Sequence, residues 1–153
     1  AAVNIRGGTG VKATQLSVFL ENKKGRLADV TRVLGENGIN IRTLFIADTS
    51  DFGILRLIVD DSQKALDVLK ANNFTVKVNE VVAVEVPDEP GSLSRILSVL
   101  DDNGMNVEYL YCFVDKNRNA AIDIMRVEDS ERAIEVMRKA NLKILSEAEL
   151  SAL

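Results

Sequence analysis

Gly25-Arg26-Leu27 and Gly91-Ser92-Leu93 are the segments of this chain best suited to hold a small anion. Each glycine stands where an alternating apolar run gives way to helical spacing, so it marks a sharp strand-to-helix turn. Glycine permits backbone angles and a close approach that other residues forbid. The first-turn N–H groups of the following helix lack internal partners and lie at the positive end of its dipole. A carboxylate is a natural occupant of such a place. Lys23, Lys24 and Arg26 surround the first turn with positive charge, which either attracts an anion or forms a solvated face. Farther on, Asn40 and Asn106 each open a β-rich run, and an amide side chain can both donate and accept.

The composition excludes most catalytic alternatives. The chain of 153 residues contains no histidine, which removes Ser-His-Asp and Cys-His catalysis and every His-ligated metal site. Its one cysteine, Cys112, cannot form an internal disulfide or a thiolate cage and reads as a small core residue of a strand. No EF-hand spacing is present, so neither a metal nor any other cofactor is expected. A net charge of −4 argues against nucleic acid, and no apolar run is long enough to cross a membrane. The expected setting is the cytoplasm. Gly7-Gly8-Thr9-Gly10-Val11-Lys12 lacks the Gly-Lys-Ser/Thr step of a phosphate loop, so residues 1–14 read as a flexible lead-in.

An internal repeat fixes the elements that must position the glycine turns. Gly91 lies 66 residues after Gly25, and Asn103-Gly104-Met105-Asn106-Val107 follows Asn37-Gly38-Ile39-Asn40-Ile41 at the same interval. Beyond a two-residue insertion the interval becomes 68, with Asp61-Ser62 meeting Asp129-Ser130. Leu16, Val18 and Leu20 alternate, as do Val82, Val84 and Val86, so both runs are strands. Asn37-Gly38 and Asn103-Gly104 are helix stops. Second strands over Ile39–Ala47 and Met105–Val114 lead through polar turns at 48–51 and 115–119 into Ile54–Val59 and Ile122–Val127. Ser62 and Ser130 are expected to cap helices over Gln63–Asn72 and Glu131–Ala140, and short strands at Phe74–Val78 and Leu142–Leu145 close each copy.

The order βαββαβ is the ferredoxin-like arrangement, an α+β fold with an antiparallel sheet and helices on one face. The domains read as 15–79 and 80–153, two such units joined side by side. The nearly continuous apolar run Ile54–Val59 implies that the other sheet face is covered too. That strand has no aromatic residue with which to stack RNA bases.

Asp88-Glu89-Pro90-Gly91-Ser92-Leu93, followed by Ile96, Leu100, Asn103-Gly104 and Asn106-Val107, resembles the pattern of the ACT domain, a regulatory module that binds amino acids. The first copy fits from Glu21-Asn22 through Gly25-Arg26-Leu27 to Asn40-Ile41, with Lys24 in place of the proline. The resemblance covers about residues 15–145 and points to stand-alone tandem ACT proteins. It implies a non-catalytic protein that senses an amino acid between the glycine loop of one module and the second strand of another. The alternative is a ligand-free regulatory subunit of a metabolic enzyme. The implied ligand residues are Asn22, Lys24, Gly25, Arg26, Leu27, Asn40, Ile41 and Arg42 in the first copy. In the second they are Asp88, Glu89, Pro90, Gly91, Ser92, Leu93, Asn106, Val107 and Glu108. The ammonium then calls for an oxygen from Asp88, Glu89 or Glu21. Arg42 and Glu108 occupy equivalent positions with opposite charge, facing either each other's strand or the two ends of a bound amino acid.

A second strand at the edge of such a sheet leaves N–H and C=O groups unpaired and invites another chain. Light scattering at micromolar concentration should therefore give a mass above that of one chain.

Overall fold

The computed structural model describes residues 12–48 and 52–153, so most of the expected lead-in and part of the 48–51 turn lie outside it. The chain folds as two compact units, one over Thr14–Asn79 and one over Glu80–Leu153, with Lys12 and Ala13 belonging to the second.

The first unit runs β1 (Ala13–Glu21), α1 (Arg26–Glu36), β2 (Ile41–Asp48), β3 (Phe52–Val59), α2 (Ser62–Ala71) and the opening of β4 (Thr75–Pro87). Antiparallel β3 pairs with β1 on one side and β2 on the other, and β4 lies beside β1. The second unit takes the rest of β4, then α3 (Ser92–Asp102), β5 (Val107–Asp115), β6 (Ala120–Val127), α4 (Ser130–Lys139), β7 (Lys143–Leu145) and α5 (Glu147–Ser151). Its β6 pairs with β4 and β5, and β4 also pairs with β7, all antiparallel. Each unit is thus the βαββαβ arrangement, with β2 or β5 at an edge.

Leu16, Val18 and Leu20 on β1 pack with Leu55, Leu57 and Val59 on β3 under Val30, Val33 and Leu34 of α1. Val82, Val84, Val86, Met125 and Val127 do the same under Ile96 and Leu100 of α3. The period of two meets the helical period across one buried layer. Burying each such side chain contributes roughly 1.5–3 kcal/mol. Ile58, Val81, Ala83, Ile122 and Ile124, on the other face of the strands, are buried as well. On that face Ser17 Oγ accepts from Arg56 Nη1 at 2.9 Å and donates to Asn79 Oδ1 at 2.6 Å. The buried Ser17 hydroxyl is thereby satisfied as both donor and acceptor.

Several elements differ from the sequence expectation. The strands expected at Phe74–Val78 and Val82–Val86 are one strand, β4, because Asn79-Glu80 carries no glycine or proline to interrupt extended backbone. Strand β1 starts at Ala13, so the last two residues assigned to the lead-in are β-structure. Neither Ser62 nor Ser130 is a helix cap. Asp61 and Asp129 cap instead, each carboxylate accepting from the backbone N–H three residues on, at 3.0 Å. The serines are the first helical residues of α2 and α4. A carboxylate one residue earlier reaches that N–H and also meets the dipole with negative charge. Helix α5 was not anticipated, although Ser146-Glu147-Ala148-Glu149 is a capping box: Ser146 Oγ accepts from Glu149 N at 3.2 Å. No helix among the described residues is long and apolar enough to cross a membrane.

Asp129→Ala should lower unfolding stability by about 1 kcal/mol, while Ser130→Thr, which keeps a hydroxyl at the first helical position, should stay within about 0.5 kcal/mol. Urea midpoints of the two variants check the reassigned cap.

Candidate functional site

The two glycine turns have the same geometry. Gly25 and Gly91 precede α1 and α3 at φ 90, in the left-handed region, and neither helix has a side-chain cap. Their carbonyls accept the first helical bonds, from Asp29 N at 2.9 Å and Arg95 N at 3.0 Å. A Cβ built on either glycine would meet nothing within 4 Å, so open space lies beside each turn. Arg26 N and Ser92 N bond back to Lys23 O and Glu89 O, both at 3.3 Å. Leu27 and Leu93, next in sequence, are exposed.

Charge separates the turns. In the first, Lys23 Nζ sits 2.6 Å from Glu21 Oε2, and that hydrogen bond holds the Glu21 carboxyl below its ordinary value. The Arg26 guanidinium lies 4.9 Å from the Phe74 ring centroid, a cation–π contact, and 4.0 Å from Asp29. Lys24 is exposed. The second turn is acidic: Asp88 and Glu89 precede Pro90, all exposed, and Asp88 N donates to Asn119 O at 3.2 Å.

The second-strand residues do not join these turns within a unit. Glu21 pairs with Phe52 at one end of the first sheet, whereas Ile41 pairs with Val59 at the other. Asn40 N donates to Asp60 Oδ1 at 3.0 Å, which ties Asn40 to the start of α2. The second unit repeats this separation, with Pro87 opposite Ala120 and Val107 opposite Val127. Asn40–Arg42 and Asn106–Glu108 therefore lie at the opposite end of the sheet from the glycine turn of their own unit. Arg42 and Glu108 both fall where the register of the edge strand slips, a bulge that re-aims a side chain. Glu108 Oε2 is 3.7 Å from Arg126 Nε in its own sheet.

Asn106 opens onto a cleft of about 610 Å³ in the second unit. Lys12 bridges its rim, with Nζ 3.2 Å from Glu80 Oε2 and 3.3 Å from Glu131 Oε1. Hydrogen bonding to Glu80, then to Glu131, raises the Lys12 pKa. Arg126 Nη1 donates to Glu80 O at 2.6 Å, and Arg132 Nη2 to Asn103 O at 2.9 Å. Lys12, Arg126 and Arg132 escaped the sequence reading. One signal was available: Arg126 replaces Ile58 of the first copy, a charge at a repeat position that is elsewhere apolar.

Cys112 is exposed, not a core residue, because β5 is an edge strand. Burial of the sulfur, followed by the charges of Asp123 and Asp88, raises its pKa and keeps the thiol protonated. Tyr109, Tyr111 and Phe113 share a face of β5, opposite Arg126, Ile124 and Ile122. Among the described residues no group of acidic, cysteine or histidine side chains is arranged to hold a metal.

The profile of the ACT domain pair matches residues 11–153. The chain belongs to the ACT domain pair family. It is 30% identical over 143 residues to a probable acetolactate synthase small subunit of Archaeoglobus fulgidus, covering 86% of this chain and 89% of that one. A crystal structure of a Bacteroides thetaiotaomicron protein aligns with TM-score 0.88 and 41% identity, over 94% of this chain and 98% of that one. The ligand-free regulatory subunit of aspartate kinase from Thermus thermophilus shares the fold, with TM-score 0.60 and 18% identity, over 83% of this ACT pair and 91% of that chain. A relative of this ACT pair is thus named as a small subunit, and a protein that shares its fold as a regulatory subunit.

Asp123 is buried, and desolvation raises its pKa above the ordinary 3.8. Its contribution to stability is fully present below 3.8 and is lost as pH rises through the raised value. Asp123→Leu should therefore gain stability over the wild type as pH rises toward neutrality, with the gap closing in acid. Denaturant midpoints across that range measure it, and a pH-independent gap would contradict the assignment.

Proposed function

We propose that this ACT domain pair is a non-catalytic regulatory protein that senses a free amino acid and passes the signal to a metabolic enzyme. The observation that carries the reading is the pair of helices that start at a left-handed glycine with no side-chain cap and open space alongside. A carboxylate bound there would accept from first-turn N–H groups and meet the positive end of the dipole. Glu21, Asp88 and Glu89 stand close in sequence to receive the ammonium group. The relatives named as small or regulatory subunits support an enzyme as the partner.

The separation within each unit shapes how such a site would work. A ligand touching both a glycine turn and a second-strand start must take them from different modules. Asn40–Arg42 or Asn106–Glu108 then completes a site opened by Gly25 or Gly91 of another module. Binding would favour one arrangement of modules over others by its difference in affinity. The second loop is the better candidate of the two, since Pro90 fixes the backbone ahead of Gly91 where the first copy has Lys24.

A thermal-shift screen of the twenty common amino acids tests the proposal, with a rise for one or a few expected and a flat response against it. Gly91→Val should cost about 1–2 kcal/mol of stability, because a side chain is strained at φ 90 even where space is open. It should also weaken binding of the amino acid found in the screen, as read by calorimetry on the folded fraction. Unchanged affinity would place the carboxylate elsewhere.

A further inference from the structure

The two units differ at one rung of the sheet beneath the helices. In the first unit Val18, Leu55 and Ile46 stand side by side across β1, β3 and β2. In the second, the same rung is Val84, Asp123 and Cys112. Met125, two residues along β6 from Asp123, belongs to the core under the helices, and Ala121, two residues the other way, packs against it. Asp123 therefore faces the helix layer. It is 2% exposed, and its Oδ2 is buried with no hydrogen-bond partner.

A carboxylate in that position is costly unless something pairs with it. The apolar rung of the first unit shows that the fold does not require it. Cys112, beside Asp123, is exposed, and Val114 farther along β5 is 48% exposed. Solvent thus reaches the outer part of β5 at Cys112, directly across the ladder from Asp123. Asp88, the first acid of the Gly91 loop, acts on the Cys112 thiol together with Asp123. Acidic groups thus bear on the thiol from β6 and from the Gly91 loop.

We propose that Asp123 forms the floor of a subsite for a primary ammonium group, that of an amino acid, entered past Cys112 and flanked by Asp88. The inference rests on the amino-acid reading above but assigns a residue which that reading does not need. A hard metal cation would demand six or more oxygens, and no such cluster occurs among the described residues. An ammonium group needs few acceptors and forms a strong charge-assisted bond with one carboxylate. Whatever fraction of Asp123 carries a proton gives it to solvent as the ammonium arrives, leaving a carboxylate–ammonium pair. Atoms and charge balance with one proton released for each protonated carboxyl that binds.

The test uses the full chain and the amino acid that gives the largest shift among the twenty. Calorimetry in phosphate and in Tris, whose ionisation enthalpies differ, counts the protons released on binding. Wild type should release a fraction of a proton that grows as pH falls, and the matching 2-hydroxy acid, which lacks the ammonium, should release none and bind more weakly. Asp123→Asn and Asp123→Leu, the latter restoring the residue type of Leu55, should abolish the proton release. They should weaken the amino acid by about tenfold or more, while leaving the 2-hydroxy acid within about threefold. Equal amino-acid affinity in wild type and both variants, or no proton release at any pH, overturns the Asp123 subsite while leaving amino-acid sensing intact. Absence of any hit in the wild type overturns both.

Discussion

The left-handed glycine ahead of α1 and α3 is the constraint on which the rest of each unit turns. At φ 90 the chain reverses from strand to helix with no side chain available to cap the helix it begins. Helices α2 and α4 begin in the opposite manner, each closed by an aspartate carboxylate. One helix of each unit therefore satisfies its own positive end, and the other leaves that end bare. Stability alone favours a cap, worth about 1 kcal/mol, at every helix start. Helices α2, α4 and α5 are capped and α1 and α3 are not, which fits the carboxylate placement proposed above.

Much of this was legible in the sequence because it depends on local pattern. Alternation at Leu16, Val18 and Leu20 and the helical spacing that follows Gly25 fix the strand and helix that bury one another. The recurrence of the whole pattern in the second copy leaves little room for another fold. The cap of α2 and α4 was misplaced by one residue, since Asp-Ser offers two good capping side chains in succession and only backbone angles decide between them. Burial at the end of β5 was not legible. Whether Cys112 is covered depends on how far the helices extend over an edge strand, which no local period encodes. For the same reason Asp123 looked like an ordinary strand residue until its rung was assembled from β4, β5 and β6.

The differences between the copies cluster around chemistry, and the shared positions cluster around packing. Leu16, Val18, Leu34 and Leu57 have apolar counterparts in Val82, Val84, Leu100 and Met125, all buried. By contrast Lys24 faces Pro90 in the alignment of the copies, Arg42 faces Glu108, Ile58 faces Arg126 and Leu55 faces Asp123. Each of these changes charge while keeping the backbone element. A duplicated unit that had only to fold would drift at exposed positions first. Here a fully buried leucine has become a buried carboxylate, the most expensive kind of change in a core.

Within a unit, the bare helix end and the second-strand asparagine sit at opposite ends of the sheet. That geometry is a consequence of chain direction: an antiparallel ladder returns β3 to the end where β2 began. No adjustment of side chains can bring the two together inside one ferredoxin-like unit. A module built this way cannot complete a two-part site alone, whatever its sequence, so the proposed site needs a second module. Ligand affinity then depends on how modules are arranged, and by linkage the arrangement depends on the ligand. The regulatory role proposed above requires that reciprocity, and the topology is compatible with it before any particular effector is considered.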